Sequence, residues 1–364
     1  NVVSNLKDQP PFISLPGGDS TSADYHFTQG TRAWDMEDYA KAKQEYVLAK
    51  EDDALRFRAP EAINAIIEQL CRKYDNVHLV DCRGAFEAAS EHGIIGNSLL
   101  LEHVHPNLLG YALMSDVFYR GLQAARLIPD ADTDTTGSFS RLLRDMPITR
   151  VDSLAGAYKI NNLKNNWPFS GPGHEAGPPT RASWHITTEE EDLAYAVAFE
   201  HLPWEEAMRQ LYDYYSKTED WAKAAVVMEA LCLEHPHEAS WYEKTAMLYG
   251  KLKENDKAIL YFRMAFDSEP SFDKARYLFV LCLQQDRPLE AMPFLDYAIA
   301  NNPSRMNLRP VRSDAMEIIR LEKQLARDPT NSSLMDTISS TYQHMGNPAA
   351  AQKYAALARR GGGR

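Results

Sequence analysis

In the C-terminal half of the chain, apolar positions fall at helical spacing, and the helices themselves recur. Ala224, Ala258 and Ala291 stand 34 and 33 residues apart, and Pro236, Pro270 and Pro303 follow at the same spacing. Tyr215 and Tyr249 precede the first two alanines by nine residues, and Leu231, Ala265 and Ala298 follow all three by seven. Such a period predicts stacked helical hairpins, in which a small Ala on one helix lets a large residue of its partner approach and Pro closes the unit. Tyr342, Gly346, Ala351, Ala355 and Ala358 predict a further unit. The segment 305–328 (Met316, Ile319, Leu321, Leu325) is helical by spacing but off the beat, and is expected to be a modified or extra helix pair. Gly30, Ala33, Tyr39, Ala42, Tyr46 and Ala49 show the same offsets within 22–50. This lone hairpin has to bury its face on a neighbour.

The region between reads differently. Residues 61–73 (Ala62, Ile63, Ile66, Ile67, Leu70) have the spacing of an amphipathic helix. Val77–Asp81 is a short apolar run ending in Asp, which predicts a buried parallel strand. Phe86 to Ala89 reads as a helix turn. Leu99-Leu100-Leu101 leads into Glu102-His103-Val104-His105-Pro106-Asn107, and Leu109, Leu113, Val117 and Leu122 mark another amphipathic helix. Helix, strand, helix, loop and helix in this order are the signature of an α/β domain. Residues 126–184, rich in Pro and Gly at 168–183, are expected to be a linker, and 185–360 an all-α solenoid.

Charge narrows the partners. With 39 basic and 51 acidic side chains the net charge is −12, which disfavours nucleic acid and anionic membrane. No run of 18 apolar residues occurs, so no membrane span is expected. Cys71, Cys82, Cys232 and Cys282 are widely spaced and are expected to be free thiols. Asp130, Asp132 and Asp134 look like the start of a calcium loop, but Thr135 and Arg141 stand where Gly and Glu are needed. His103 and His105 lack a third ligand nearby in sequence. No metal and no cofactor are therefore expected. The chain opens on Asn1 with no initiator Met, which reads as an N-terminally truncated fragment. Its compartment stays open, including membrane anchoring or an extracytoplasmic location through a missing segment.

The chemistry concentrates at Glu102-x-x-His105-Pro106, followed by Gly110-Tyr111. A carboxylate three residues before a His can accept the imidazole Nδ1–H, which leaves Nε2 to take a proton from a nucleophile. The pattern resembles the C-terminal part of SGNH (GDSL-type) hydrolases, where a strand leads to a D-x-x-H-P loop and a Gly-Tyr helix. Val2-Val3-Ser4-Asn5-Leu6-Lys7-Asp8 resembles the strand and Asn-bearing loop of that family. The 34-residue units resemble tetratricopeptide (TPR) repeats. An SGNH-like domain, an inserted TPR hairpin, a TPR tail and the stretch Asp52-Asp53-Ala54-Leu55-Arg56-Phe57-Arg58-Ala59 together resemble a bacterial grouping.

The resemblance implies a partial three-layer SGNH-like α/β domain over 1–125, with the hairpin 22–50 inserted in it. His105 would be the general base, Glu102 its orienting carboxylate and Asn5 an oxyanion donor. Glu in place of the usual Asp lengthens the reach by one methylene. The nucleophilic Ser would lie upstream of the chain. Ser20 in Gly18-Asp19-Ser20 is the alternative, although it follows Asn5 and so reverses the family order; the plainer reading is a turn with Ser20 or Ser22 near a helix N-terminus. Arg56 and Arg58 would clamp a carboxylate or sulfate on the substrate, or else pair with Asp52 or Asp53. The parent protein is then a serine ester hydrolase or O-acyltransferase acting on an O-acylated sugar or similar polar substrate, and this chain alone is inactive. The alternative is a non-catalytic scaffold whose TPR concave groove takes a peptide or protein partner, beside a vestigial hydrolase domain.

Overall fold

A computed structural model describes residues 1–15, 21–128, 139–171, 177, 180–303 and 305–361. The helices follow as α1 Ala23–Asp35, α2 Tyr39–Glu51, α3 Glu61–Lys73, α4 Cys82–Ala88, α5 Leu108–Ala124, α6 Phe139–Arg144, α7 Arg150–Lys164, α8 Glu189–Phe199 and α9 Trp204–Lys217. They continue as α10 Trp221–Glu234, α11 Ala239–Lys251, α12 Asn255–Ser268, α13 Phe272–Gln284, α14 Pro288–Ala300, α15 Arg309–Leu325, α16 Ser332–His344 and α17 Pro348–Gly361. These residues divide into two compact units, Asn1–Met146 with Lys159–Pro179 and Pro147–Tyr158 with Thr180–Arg364, so the division falls inside α7.

The predicted hairpins are present, and they share one turn. The pairs α1–α2, α9–α10, α11–α12, α13–α14 and α16–α17 are each joined by three residues. The middle one is left-handed in every case: Glu37, Glu219, Lys253, Asp286 and Gly346, with φ of 60°, 59°, 62°, 59° and 74°. The third residue then turns its N–H back to the carbonyl five positions earlier. Asp38 donates to Ala33, Asp220 to Tyr215, Glu254 to Tyr249, Arg287 to Cys282 and Asn347 to Tyr342, all at 2.9 Å. Three of these third residues also cap the next helix, as Asp38, Asp220 and Asn347 accept the N–H groups of Lys41, Lys223 and Ala350. Each turn thus satisfies helix-end groups that would otherwise lack partners.

The small residues do what their spacing predicts. Ala224, Ala258, Ala291, Ala265 and Ala298 are fully enclosed, with Tyr215, Tyr249 and Leu231 buried beside them. The off-beat segment 305–328 is one helix, α15, and not a pair; it buries Ala315, Ile318 and Leu321 and leaves Met316 exposed. The lone α1–α2 hairpin buries Ala33, Ala42 and Tyr46 against Leu6 and Ile94, as its one-sided pattern requires. Within it, α1 comes so close to α2 that a Cβ on Gly30 would stand 2.7 Å from the Tyr46 ring.

The expected α/β domain is not formed. Among the described residues there is no strand, only one isolated bridge between Leu100 and Pro106. The runs that read as strands have no neighbouring strand to pair with among the described residues. Val77 and Leu79 are exposed and not buried. At Val2, the Asn64 carboxamide takes the place of a sheet neighbour, accepting the Val2 N–H at 2.7 Å and donating to its carbonyl at 3.0 Å. Asn5 and Leu6 donate instead to loop carbonyls of His103 and Ile95. Apolar content makes a segment suitable for a sheet, but a ladder needs a second extended chain alongside it. The stretch 1–125 is therefore helices and loops around two small cores, the second built from Phe86, Ile95, Leu99 and Leu100 with Val3, Leu113 and Met114.

Candidate functional site

The loop before α5 is closed by its own backbone and by Asn107. Leu101 N–H donates to His105 O at 2.7 Å and Asn107 N–H to Leu99 O at 2.9 Å. The Asn107 side chain donates to Ser98 O at 2.9 Å and accepts the Gly110 N–H at 3.0 Å as the cap of α5. Gly110 is required here: a Cβ would stand 2.2 Å from the Leu99 carbonyl oxygen. The turn so formed buries Glu102 and leaves the His105 side chain 61% exposed.

Glu102 is the organising group. Its carboxylate accepts the His105 N–H at 2.8 Å, the Val104 N–H at 3.3 Å and the Nδ1–H of the His105 ring. Burial pushes this carboxyl up, but the bonds from the His105 backbone and imidazole and from Val104 outweigh it and hold it below the usual carboxylate range. A carboxylate on Nδ1 fixes the tautomer, so Nε2 carries the free lone pair. Among the described residues, His105 Nε2 makes no hydrogen bond.

Asn5 lies against the same loop through its N–H to His103 O at 3.0 Å. Its side chain, however, is fully buried, with Nδ2 donating to Asn97 Oδ1 at 2.9 Å and Oδ1 accepting the Asp8 N–H at 3.1 Å. Arg58 is also buried. It donates to Asn5 O at 3.1 Å and Gln9 O at 3.0 Å and pairs with Asp53 at 3.3 Å, while Asp53 accepts the N–H groups of Phe12 and Ile13. Arg58 therefore pins the Asn5–Ile13 segment from inside, and a substrate would have to break three bonds to reach it. Arg56 is exposed and makes no ion pair among the described residues. Ser20 lies outside the described residues, as do Asp130, Asp132, Asp134 and Thr135; Ser22 caps α1. No group of three or more metal-ligating side chains occurs among the described residues. No helix among them is long and apolar enough to cross a membrane. Cys71, Cys82, Cys232 and Cys282 are free thiols, and burial pushes Cys232 and Cys282 up to about 11.

The neighbour of the pair that sequence reading missed is His103. Its ring stacks on Phe12 at 3.8 Å and meets the edge of Phe169 at 5.3 Å. Nε2–H donates to Pro10 O at 3.0 Å, leaving Nδ1 buried without a hydrogen-bond partner, 3.8 Å from Glu102 Oε2. Burial pushes this imidazole down to about 4, so it is neutral near pH 7. Pro10-Pro11-Phe12, directly after the Asn5 loop, was the available signal, but nothing in spacing joins it to residue 103 or 169.

The repeat array offers a different kind of surface. Met247 on α11 and Val280 on α13 occupy equivalent positions, 33 residues apart, and are 53% and 38% exposed. Leu260 and Met264 on α12 are exposed as well.

No family profile and no curated protein matches the chain. Solved structures do. The crystal structure of MamA protein is 18% identical, over 43% of this chain and 91% of its own, with a TM-score of 0.29. YrrB, titled a TPR protein with an unusual peptide-binding site, is 15% identical over 43% of this chain and 84% of its own, with a TM-score of 0.27. The human IFIT1 dimer with PPP-AAAA is 12% identical over 93% and 83%, with a TM-score of 0.25. At these TM-scores the likenesses carry no functional weight. The buried alanines, the shared three-residue turn and the 33- to 34-residue period by themselves make this a TPR-like, all-α hairpin array.

Proposed function

We propose that the repeat array is a docking scaffold for a peptide or protein partner. The observation that carries this is the pair Met247 and Val280, apolar side chains kept exposed at matching positions of successive hairpins. Stacked hairpins repeat such positions at regular intervals, which suits an extended or helical peptide, and Met adapts to varied partners. The test is selection of peptides from a random library on the whole chain. A selected peptide should bind Met247→Glu/Val280→Glu at least about tenfold more weakly, with the melting temperature unchanged. Peptides that bind the double variant equally well would place the docking surface elsewhere.

The Glu102–His105 pair favours a second reading, ester cleavage or acyl transfer on an O-acylated sugar or similar substrate. The buried carboxylate orients the ring, and the exposed Nε2 is suited to take a proton from a serine hydroxyl. For Asn5 to hold an oxyanion, its amide would first have to leave Asn97; Arg56 is the exposed cation for a substrate carboxylate. Among the described residues no serine bonds the His105 ring, so hydrolysis of p-nitrophenyl acetate is measured on a chain extended upstream to supply the nucleophile. His105→Ala should lower the rate by about 10²-fold or more, and a rate that survives the substitution excludes His105 as the base.

A further inference from the structure

Beside the Glu102 loop lies a groove of about 600 Å³, lined by residues 9–14, His103, Lys164 and 167–171. Its floor is aromatic and self-packed. Phe12 stacks on His103 and meets Phe169 edge-on at 5.0 Å, so these rings are engaged with one another. Trp167 differs, as it lines the groove yet is 53% exposed. Lys164 is the one charged side chain among the described lining residues; no Asp or Glu lines the groove. It is exposed, it makes no ion pair among the described residues, and one N–H of its ammonium donates to Leu101 O at 2.6 Å. Leu101 in turn is bonded to the His105 backbone carbonyl through its own N–H, so the groove adjoins the loop that carries His105.

We propose that this groove binds an acidic saccharide, with one sugar ring on the face of Trp167 and its carboxylate on Lys164. A pyranose has an apolar C–H face that suits an indole and hydroxyls that suit a polar rim, and the volume is in the range of small-ligand sites. The charge selects among saccharides. In a chain of net charge −12, a lysine facing a groove without carboxylates is matched by an anionic ligand. A proline-rich peptide fits less well. It needs successive open aromatic ridges, whereas Phe12 and Phe169 are occupied by each other and by His103. As a substrate subsite for the Glu102–His105 pair, the groove rests on the second reading above; as a binding site it stands on its own residues.

Isothermal titration of the whole chain with tetragalacturonate, with maltotetraose as the neutral control, tests the proposal. Tetragalacturonate should bind one to one and more tightly than maltotetraose, and added salt should weaken it. Trp167→Ala and Lys164→Gln should each weaken it about tenfold, with Trp167→Phe recovering part of the loss. His105→Ala should leave binding unchanged, which separates this site from the ester-cleavage reading. The proposal is overturned if tetragalacturonate does not bind, if Trp167→Ala binds it as well as the parent chain, or if maltotetraose binds equally. Binding of octaproline in place of the saccharide, lost on Trp167→Ala, would also overturn it.

Discussion

At the scale of single residues, the loop at 102–105 places two histidines in opposite situations. His105 is exposed and oriented by Glu102, whereas His103 is buried, stacked and neutral. That contrast has a consequence for stability. Unfolded His103 takes up its proton near pH 6.5, and the folded side chain only near 4. Between those values the unfolded chain binds more protons, so stability falls as pH drops, by at most about 3 kcal/mol. Glu102 acts in the adjoining window. Its folded pKa is depressed from 4.5, so its contribution is complete above that value and is lost as pH falls through the folded pKa. Urea midpoints followed from neutral pH to about 4 should decline, and His103→Phe, which keeps the stack on Phe12, should flatten the decline above pH 4.5. An identical slope in the variant would assign the pH dependence to other groups. The contact between Glu102 and His105 was legible from their spacing taken together with the family resemblance. His103 was not, because its partners Pro10, Phe12 and Phe169 are far away in sequence.

At the scale of elements, the hairpin turn is the most informative unit. Four of the five turns place a non-Gly residue at φ near 60°, and only Gly346 occupies the position without a Cβ. A left-handed L-residue costs roughly 1–2 kcal/mol. Nothing lies within 4 Å of a Cβ built on Gly346, so Gly346→Ala should destabilise by about 1 kcal/mol through backbone conformation alone. Lys253→Gly, at the equivalent turn between α11 and α12, should stabilise by about 0.5 kcal/mol, the gain being partly offset by the entropy of glycine. Chemical denaturation of the two variants measures both signs, and a stabilising Gly346→Ala would show that the left-handed conformation is not retained. The helices themselves were readable from the period of 33–34 residues. Residues 77–81 were misread as a buried strand, because composition reports what a segment can join and not whether a partner strand is present.

At the scale of the whole chain, the repeat unit is tied together by contacts that no local pattern announces. Asp286 sits in the α13–α14 turn and accepts hydrogen bonds from Tyr342 of α16, at 2.6 Å, and from Lys353 of α17. Asn347 adds a bond to Leu283 O at 2.9 Å. The last hairpin is thereby fastened to residues about sixty positions earlier, past the off-beat α15. Burial and Asp286 push the Tyr342 hydroxyl above its ordinary pKa, so it stays protonated and donates. Asp286→Ala should cost about 2 kcal/mol and should raise hydrogen exchange in α16 and α17 before the other helices. Uniform exchange across the array would mean that the last hairpin is held by its apolar face alone.

The sequence by itself determined the hairpins, their small buried alanines and the Glu102–His105 spacing, because each of these depends on residues within one or two helical turns or one repeat. Only the tertiary structure decided the rest: that the apolar runs near the N-terminus pair with loops and Asn64 and form no sheet, that Arg58 is an internal tie, and that Trp167, Lys164 and His103 line one groove. These outcomes depend on which distant groups meet, and hydrogen-bond pairing and burial are settled at that meeting, not along the chain.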